Sequence, residues 1–190
     1  MRIGVDIDGV LFPWDAVARD VLDSRYGGVS REPSRSWSAL RDEVSKSAWH
    51  WLWSDEGQAS VFGQVWRAYY NAVDAAARLM LLGHEVHFVT HRDPATTIHH
   101  TAAFLREHFW GLRWAGVHSI RSTTHKGSLG PWDVFVDDKP STVLDFVAGE
   151  RTRVFAPRRP WNEAELEDNL YLTVYDNPGV ILDYVKAHDG

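Results

Sequence analysis

The chain has no cysteine. Disulfides and thiolate metal centres are therefore excluded, and the redox compartment stays undetermined. No apolar run approaches the length a membrane span needs, and the start lacks a signal-peptide pattern. The expected setting is soluble and cytoplasmic, with no membrane partner. Basic residues are outnumbered, 20 Lys and Arg against 26 Asp and Glu, for a net charge of -6 and a pI near 5.9. That balance argues against binding duplex nucleic acid, although local charge can oppose the net and admit a small phosphorylated ligand. There is no Walker loop and no Gly-x-Gly-x-x-Gly, so a glycine-rich nucleotide cradle is unsupported. Internal repeats and low-complexity tracts are missing too.

What is present is ordinary for a globular protein: 190 residues, 44% hydrophobic and 24% charged. That length buries one good core and leaves room for a small appended domain. Tryptophan alone is unusual, with 10 in the chain. Several cluster in Trp49-His-Trp51-Leu-Trp53, with Trp14 and Trp37 before them and Trp66 after. Tryptophan is mostly core filler with a polar handle; a cluster beside a ligand site can also supply a stacking surface.

The stretch that organises the rest is Arg2 to Phe12. It opens with Ile3, Val5 and Ile7, the pattern of a strand buried in a parallel sheet. Asp6 and Asp8 then stand one residue apart, followed by Gly9. Strand side chains alternate faces, so the two carboxylates converge only if the chain is already turning, and Gly9 frees that turn. Like charges this close repel unless a cation lies between them. The economical reading is a divalent metal site at the carboxyl edge of a sheet; the bland one is a solvated acidic turn.

Apolar spacing predicts a helix over 14–26, a loop over 29–38, a helix over 40–52, and a long helical pattern over 58–82 with a break near Tyr69-Tyr70-Asn71. Strands are predicted at 85–90, 116–121, 133–137, 152–155 and 172–175, with helices at 94–109, 141–148 and 178–187. Strands alternating with helices predict an α/β fold, a doubly wound parallel Rossmann-like sheet. An ordinary crossover needs a dozen residues or somewhat more, far fewer than separate Phe12 from Glu85. The surplus reads as a small helical cap inserted after the first strand: 1–12 and 84–190 form the core, 13–83 the cap.

Four strand ends carry chemistry. The first bears Asp6 and Asp8. The second ends in Thr90, followed by His91 and Arg92. Thr123-Thr-His-Lys126-Gly127 offers an ammonium, and the fourth strand ends in Asp137 and Asp138. Acids on two separate strand ends make an all-oxygen site suited to Mg²⁺. A hydroxyl and an ammonium nearby supply donors for phosphoryl oxygens. In order and spacing these motifs resemble the haloacid dehalogenase-like (HAD) hydrolase superfamily. Asp6 to Val10 is similar to its first motif, Thr90 to its second, Lys126 to its third, and Val136-Asp137-Asp138 to its fourth. The cap position, Asp8-Gly-Val-Leu11 followed by aromatics, and Arg159-Pro-Trp-Asn162 resemble the 5′(3′)-deoxyribonucleotidase group.

The resemblance implies a Mg²⁺-dependent phosphomonoesterase working through an aspartyl phosphate on a nucleoside monophosphate, the deoxyribonucleoside series favoured, or on a similar small phosphomonoester. Asp6 would be the nucleophile, Asp8 the general acid and then base. Mg²⁺ would be held by Asp6, the Asp8 carbonyl and the second pair, with Asp138 as direct ligand and Asp137 as outer support. Thr90 would bond the phosphoryl group and Lys126 balance its charge. Phe12, Trp14, Trp51 and Trp53 would contact the base, and His91 and Arg92 the phosphate or leaving group. The sequence departs from the group at His91-Arg92-Asp93, where small residues are usual. An aromatic-rich cap could equally pair with a second copy as a homodimer.

Each residue also has a plainer role. Thr90 suits a buried strand, Lys126 a solvated surface, Asp137 and Asp138 a helix N-cap, and the aromatics a core. Zinc at His87 with His91, or at His99-His100, is not expected, since adjacent His side chains diverge and no Glu-x-x-His pattern supports them. A phospho-acceptor module of receiver type also uses acids, Thr and Lys around Mg²⁺, but in another order. A 3′-phosphatase on nucleic-acid ends is disfavoured by the acidic charge.

Overall fold

The computed structural model describes residues 1–36, 38–92 and 94–189. Trp37 and Asp93, both noted in the sequence, lie outside them. Among the described residues six strands form one all-parallel sheet: β1 (Arg2–Val5), β2 (Glu85–His91), β3 (Gly116–Ile120), β4 (Val134–Val136), β5 (Arg153–Pro157) and β6 (Leu172–Tyr175). Their order is β3-β2-β1-β4-β5-β6. The first strand is thus interior, with Ile3 registered against Val86 on one side and Val134 on the other. The first three strands build outward one way and the last three the other. In open α/β sheets the crevice at such a reversal, outside the strand carboxyl ends, is where ligands bind.

The helices are α1 (Trp14–Tyr26), α2 (Ala39–Glu43), α3 (Lys46–Leu52), α4 (Asp55–Phe62), α5 (Tyr70–Leu81), α6 (Pro94–His108), α7 (Pro140–Ala148) and α8 (Gly179–His188). Both sheet faces are covered, which is why the strands read as short apolar runs. Val134 and Val136 join a cluster with residues of α5 and α8, while Phe135 faces the other way onto Val143 and Phe146 of α7. Burying one such side chain contributes about 1.5–3 kcal/mol. No described helix is long and apolar enough to cross a membrane.

The helices between β1 and β2 differ from the sequence pattern in their breaks. The run predicted over 40–52 splits into α2 and α3, because Ser45 is extended and its hydroxyl accepts from the Ala48 amide at 3.2 Å. The pattern predicted from 58 begins earlier, at Asp55. Ser54 caps α4 by accepting from Gly57 N, and Asp55 and Glu56 occupy the positive end of the helix. A 3₁₀ turn at Val65–Arg67 separates α4 from α5. Tyr69 N then donates to Leu11 O at 2.8 Å, fastening the start of α5 to the loop after β1. The polar stretch over 29–38 is anchored by buried Arg19, whose guanidinium reaches Ser30 O, Ser34 and Glu43. Helices α1, α3 and α4 pack on one another, α4 also packs on α6, and α5 lies on the sheet against β2 and α8.

Candidate functional site

After Val5 the chain keeps one sheet bond, Asp6 N to Val136 O at 2.9 Å, and then curls. Leu11 N and Phe12 N both donate to Ile7 O, and Gly9 N donates to Phe12 O. Gly9 sits at φ +76°, and a Cβ there would fall inside the Asp138 carboxylate. Backbone and neighbour both demand glycine. Gly9→Ala is expected to cost on the order of 2 kcal/mol and to displace Asp138. Urea unfolding together with a Mg²⁺ titration checks this; wild-type values in both would contradict it.

The two carboxylates expected to share one cation take different partners. Asp6 turns toward β4. Its Oδ2 lies 2.9 Å from Lys126 Nζ, and its Oδ1 accepts from the Ile7 amide at 2.8 Å. Lys126 also donates to Asp137 Oδ2 at 2.7 Å, and Asp137 Oδ1 accepts from Lys139 N at 2.9 Å. Asp138 Oδ2 accepts from Trp161 Nε1 at 2.9 Å, while its Oδ1 is buried with no hydrogen-bond partner. Asp6, Asp137 and Asp138 each offer an oxygen within 4.8 Å of the others. Lys126 is 1% exposed rather than a solvated lysine.

Asp8 turns toward β2 and stands apart from that cluster. Its Oδ2 accepts from Arg92 Nε at 2.9 Å and from Thr90 Oγ1 at 3.4 Å, and Arg92 Nη2 closes a second bond to Oδ1. Arg92, expected on the substrate, is 2% exposed and spent inside the protein. Its Nη1 donates to Thr101 Oγ1 at 3.0 Å, and its Cζ lies over the Phe62 ring, 3.8 Å from the centroid. Arg92→Met leaves Asp8 without this fork and is expected to cost about 2–4 kcal/mol. An unfolding free energy from urea titration within about 0.5 kcal/mol of wild type, roughly the scatter for an exposed pair, would mean the pair is not formed in solution.

The aromatic set divides. Phe12, expected at a base, is fully buried among Phe62 and Phe104 and offers a ligand no surface. It faces inward because the loop returns it to the core. Trp51 packs under Arg25 and against Tyr26. Trp14 and Trp53 stack at 5.1 Å and are half-buried. His91 bonds Thr124 O at 3.0 Å and lines a polar groove with Thr124, Lys126 and Lys139. Two residues given no role in sequence support the acids: Asn162 donates to Asp138 O at 2.9 Å, and Trp161 holds its side chain. Arg159 Nε donates to Gly9 O at 2.8 Å. Only the Arg159 to Asn162 resemblance pointed there.

Burial pushes the Asp6 carboxyl up to about 7, against the pull of Lys126 and with repulsion from Asp137 and Asp8. Burial also drives Asp138 well up, reinforced by Asp137 and Asp6. Lys126 is raised: burial opposes its charge, but Asp137 and Asp6 outweigh burial. A carboxyl raised on folding holds its proton more tightly in the folded state. Its contribution is full below about pH 4 and is lost as pH rises through about 7. Without divalent cation, the stability of wild type relative to Asp6→Asn is therefore expected to fall across that window. Paired melts from pH 4 to 8 check it, and a flat difference would contradict it.

Neither family models nor curated protein sequences give a match to this chain. Solved structures do. A haloacid dehalogenase-like family hydrolase from Streptococcus pneumoniae is 16% identical, with 96% of this chain and 97% of that one covered at a TM-score of 0.62. A predicted phosphoglycolate phosphatase from Haemophilus somnus is 16% identical, covering 97% of each at 0.57. D,D-heptose 1,7-bisphosphate phosphatase from B. bronchiseptica, complexed with magnesium and phosphate, is 11% identical, covering 98% and 99% at 0.55. At these identities the likeness is one of fold: a six-stranded parallel α/β sheet flanked by helices.

Proposed function

We propose that this chain is a Mg²⁺-dependent phosphomonoesterase with Asp6 as nucleophile. The observation that carries the reading is the buried cluster of Asp6, Asp137 and Asp138 around Lys126, at the point where the sheet order reverses. The fold neighbours that are phosphatases support it, one of them holding magnesium and phosphate. The donors fit Mg²⁺. All are oxygens, and Asp138 Oδ1 is buried with nothing else to bind. Asp6, Asp138 and the Asp8 carbonyl would hold the ion directly. Asp137, with both oxygens engaged, would back them. When bound, the ion offsets repulsion between an anionic nucleophile and an anionic phosphate.

In the first half-reaction an Asp6 oxygen attacks phosphorus and the bond to the leaving oxygen breaks. That oxygen takes a proton from Asp8. In the second, water gives a proton to Asp8 and adds to phosphorus, releasing phosphate and restoring Asp6. Thr90 donates its hydroxyl to the phosphoryl group, and Lys126 balances its charge. Arg92 has to release part of its hold before Asp8 can carry a proton to a leaving group.

The substrate we assign to this site is a nucleoside monophosphate, the deoxyribonucleoside series first. The stacked, half-buried Trp14 and Trp53 support a planar base. The test is phosphate release from nucleoside monophosphates and sugar phosphates, with Mg²⁺ and with chelator. Mg²⁺-dependent release from deoxynucleotides is the expected result. Release from sugar phosphates alone would keep Asp6 and Asp8 in their roles and discard the base contact. Mg²⁺ binding with no release from anything would favour a phospho-acceptor module.

A further inference from the structure

One other group of metal-ligating side chains comes together among the described residues: Asp55, His99 and His100. Asp55 opens α4, and the two histidines lie side by side on α6. Consecutive helical residues point about 100° apart, which is why the sequence argues against a site there. The structure departs from that expectation. Both rings turn to one carboxylate oxygen, with Asp55 Oδ1 at 3.0 Å from His99 Nε2 and 2.8 Å from His100 Nε2. The ring centroids are 3.9 Å apart, and the three ligand atoms lie within 4.8 Å of one another.

We propose that Asp55, His99 and His100 form a second metal site, taking a borderline cation of the Zn²⁺ class. Two imidazole nitrogens and one carboxylate oxygen suit Zn²⁺, Co²⁺ or Ni²⁺ and are a poor match for Mg²⁺, which prefers oxygen throughout. Three protein ligands on a partly exposed surface leave coordination positions open to solvent. The location gives the site a consequence. It bridges the start of α4 to α6, while Phe62 at the end of α4 lies under Arg92 and Thr101, next to His100, bonds the same guanidinium. A cation here ties together the two helices that hold Arg92 on Asp8. That effect on turnover rests on the proposed phosphatase reading; binding does not.

The test therefore reads binding, in the Asp6→Asn background so that turnover plays no part. Mg²⁺ is kept in excess to fill the acidic cluster, and Co²⁺ alone is the probe, followed by visible ligand-field absorption and calorimetry. Expected is one equivalent of Co²⁺ with a low-symmetry band, displaced by Zn²⁺. His99→Gln with His100→Gln, and separately Asp55→Asn, should each weaken binding by at least ~10-fold. Zn²⁺ should raise the melting temperature of the parent and not of these variants. Absence of the band in the parent would overturn the site. So would unchanged Co²⁺ affinity in the substituted proteins, which far-ultraviolet circular dichroism would confirm as folded.

Discussion

Asp6→Asn is expected to lower phosphate release at least ~10⁴-fold, the scale seen when a covalent nucleophile is removed. The amide keeps the size and the Ile7 hydrogen bond of the carboxylate but cannot attack phosphorus. The fold should survive. Lys126 retains Asp137 at 2.7 Å, and the buried acids lose one source of repulsion. The variant should therefore melt at or above the wild-type temperature near neutral pH, where Asp6 otherwise ionises. Single-turnover phosphate release beside circular dichroism melts separates the outcomes. Near-wild-type turnover would remove Asp6 from the chemistry. Lost turnover with a lost fold would assign it a structural role instead.

Lys126→Met carries the largest expected loss of stability. Lys126 is the cation paired with two buried acids, Asp6 and Asp137, and methionine matches its stem without its charge. Removing one partner of a buried ion pair costs about 3–5 kcal/mol because the remaining charge is left uncompensated. Mg²⁺ should return part of this, since a ligand binding only the folded state at 100 times its Kd adds about 2.7 kcal/mol. Urea unfolding with Mg²⁺ and with chelator measures both. A variant as stable as wild type in chelator would mean that the acids are not ionised together around this lysine. A variant no more stable in Mg²⁺ than in chelator would mean that no cation reaches them.

The strand ends were legible because burial on both faces forces apolar runs, and an acid straight after such a run has few other reasons to be there. That logic locates Asp6, Asp8, Asp137 and Asp138, and Thr90 is picked out only as the polar end of its strand. It also ranks Lys126 by its order alone, though its burial is invisible in Thr124-His-Lys126. Arg92 was misassigned for a physical reason. A charged residue leaving a strand reads as ligand-facing, and nothing local reveals that Phe62 and Thr101 enclose it. Phe12 fails likewise, since aromatic content says nothing about which way a tight loop turns. The helix breaks at Ser45 and Ser54 did carry a signal, a capping hydroxyl, outweighed in reading by the apolar periodicity around it. The support from Trp161 and Asn162 is tertiary throughout.

The interior position of β1 has a consequence for the chain as it is made. The segment bearing Asp6 is synthesised ahead of every other strand of the sheet, yet its partner β4 ends at Val136 and the Arg159 to Gly9 contact spans 150 residues. At about 5–20 residues per second, β1 waits roughly 7–26 s after its own synthesis before its second neighbour exists. Until then it is an apolar strand with an open edge, the kind of segment that chaperones hold and that aggregates when they do not. The acids acquire their shared lysine and their Trp161 and Asn162 supports only when the chain through residue 162 has emerged. A nascent chain thus holds no partly built form of this acidic cluster, which comes together late and all at once.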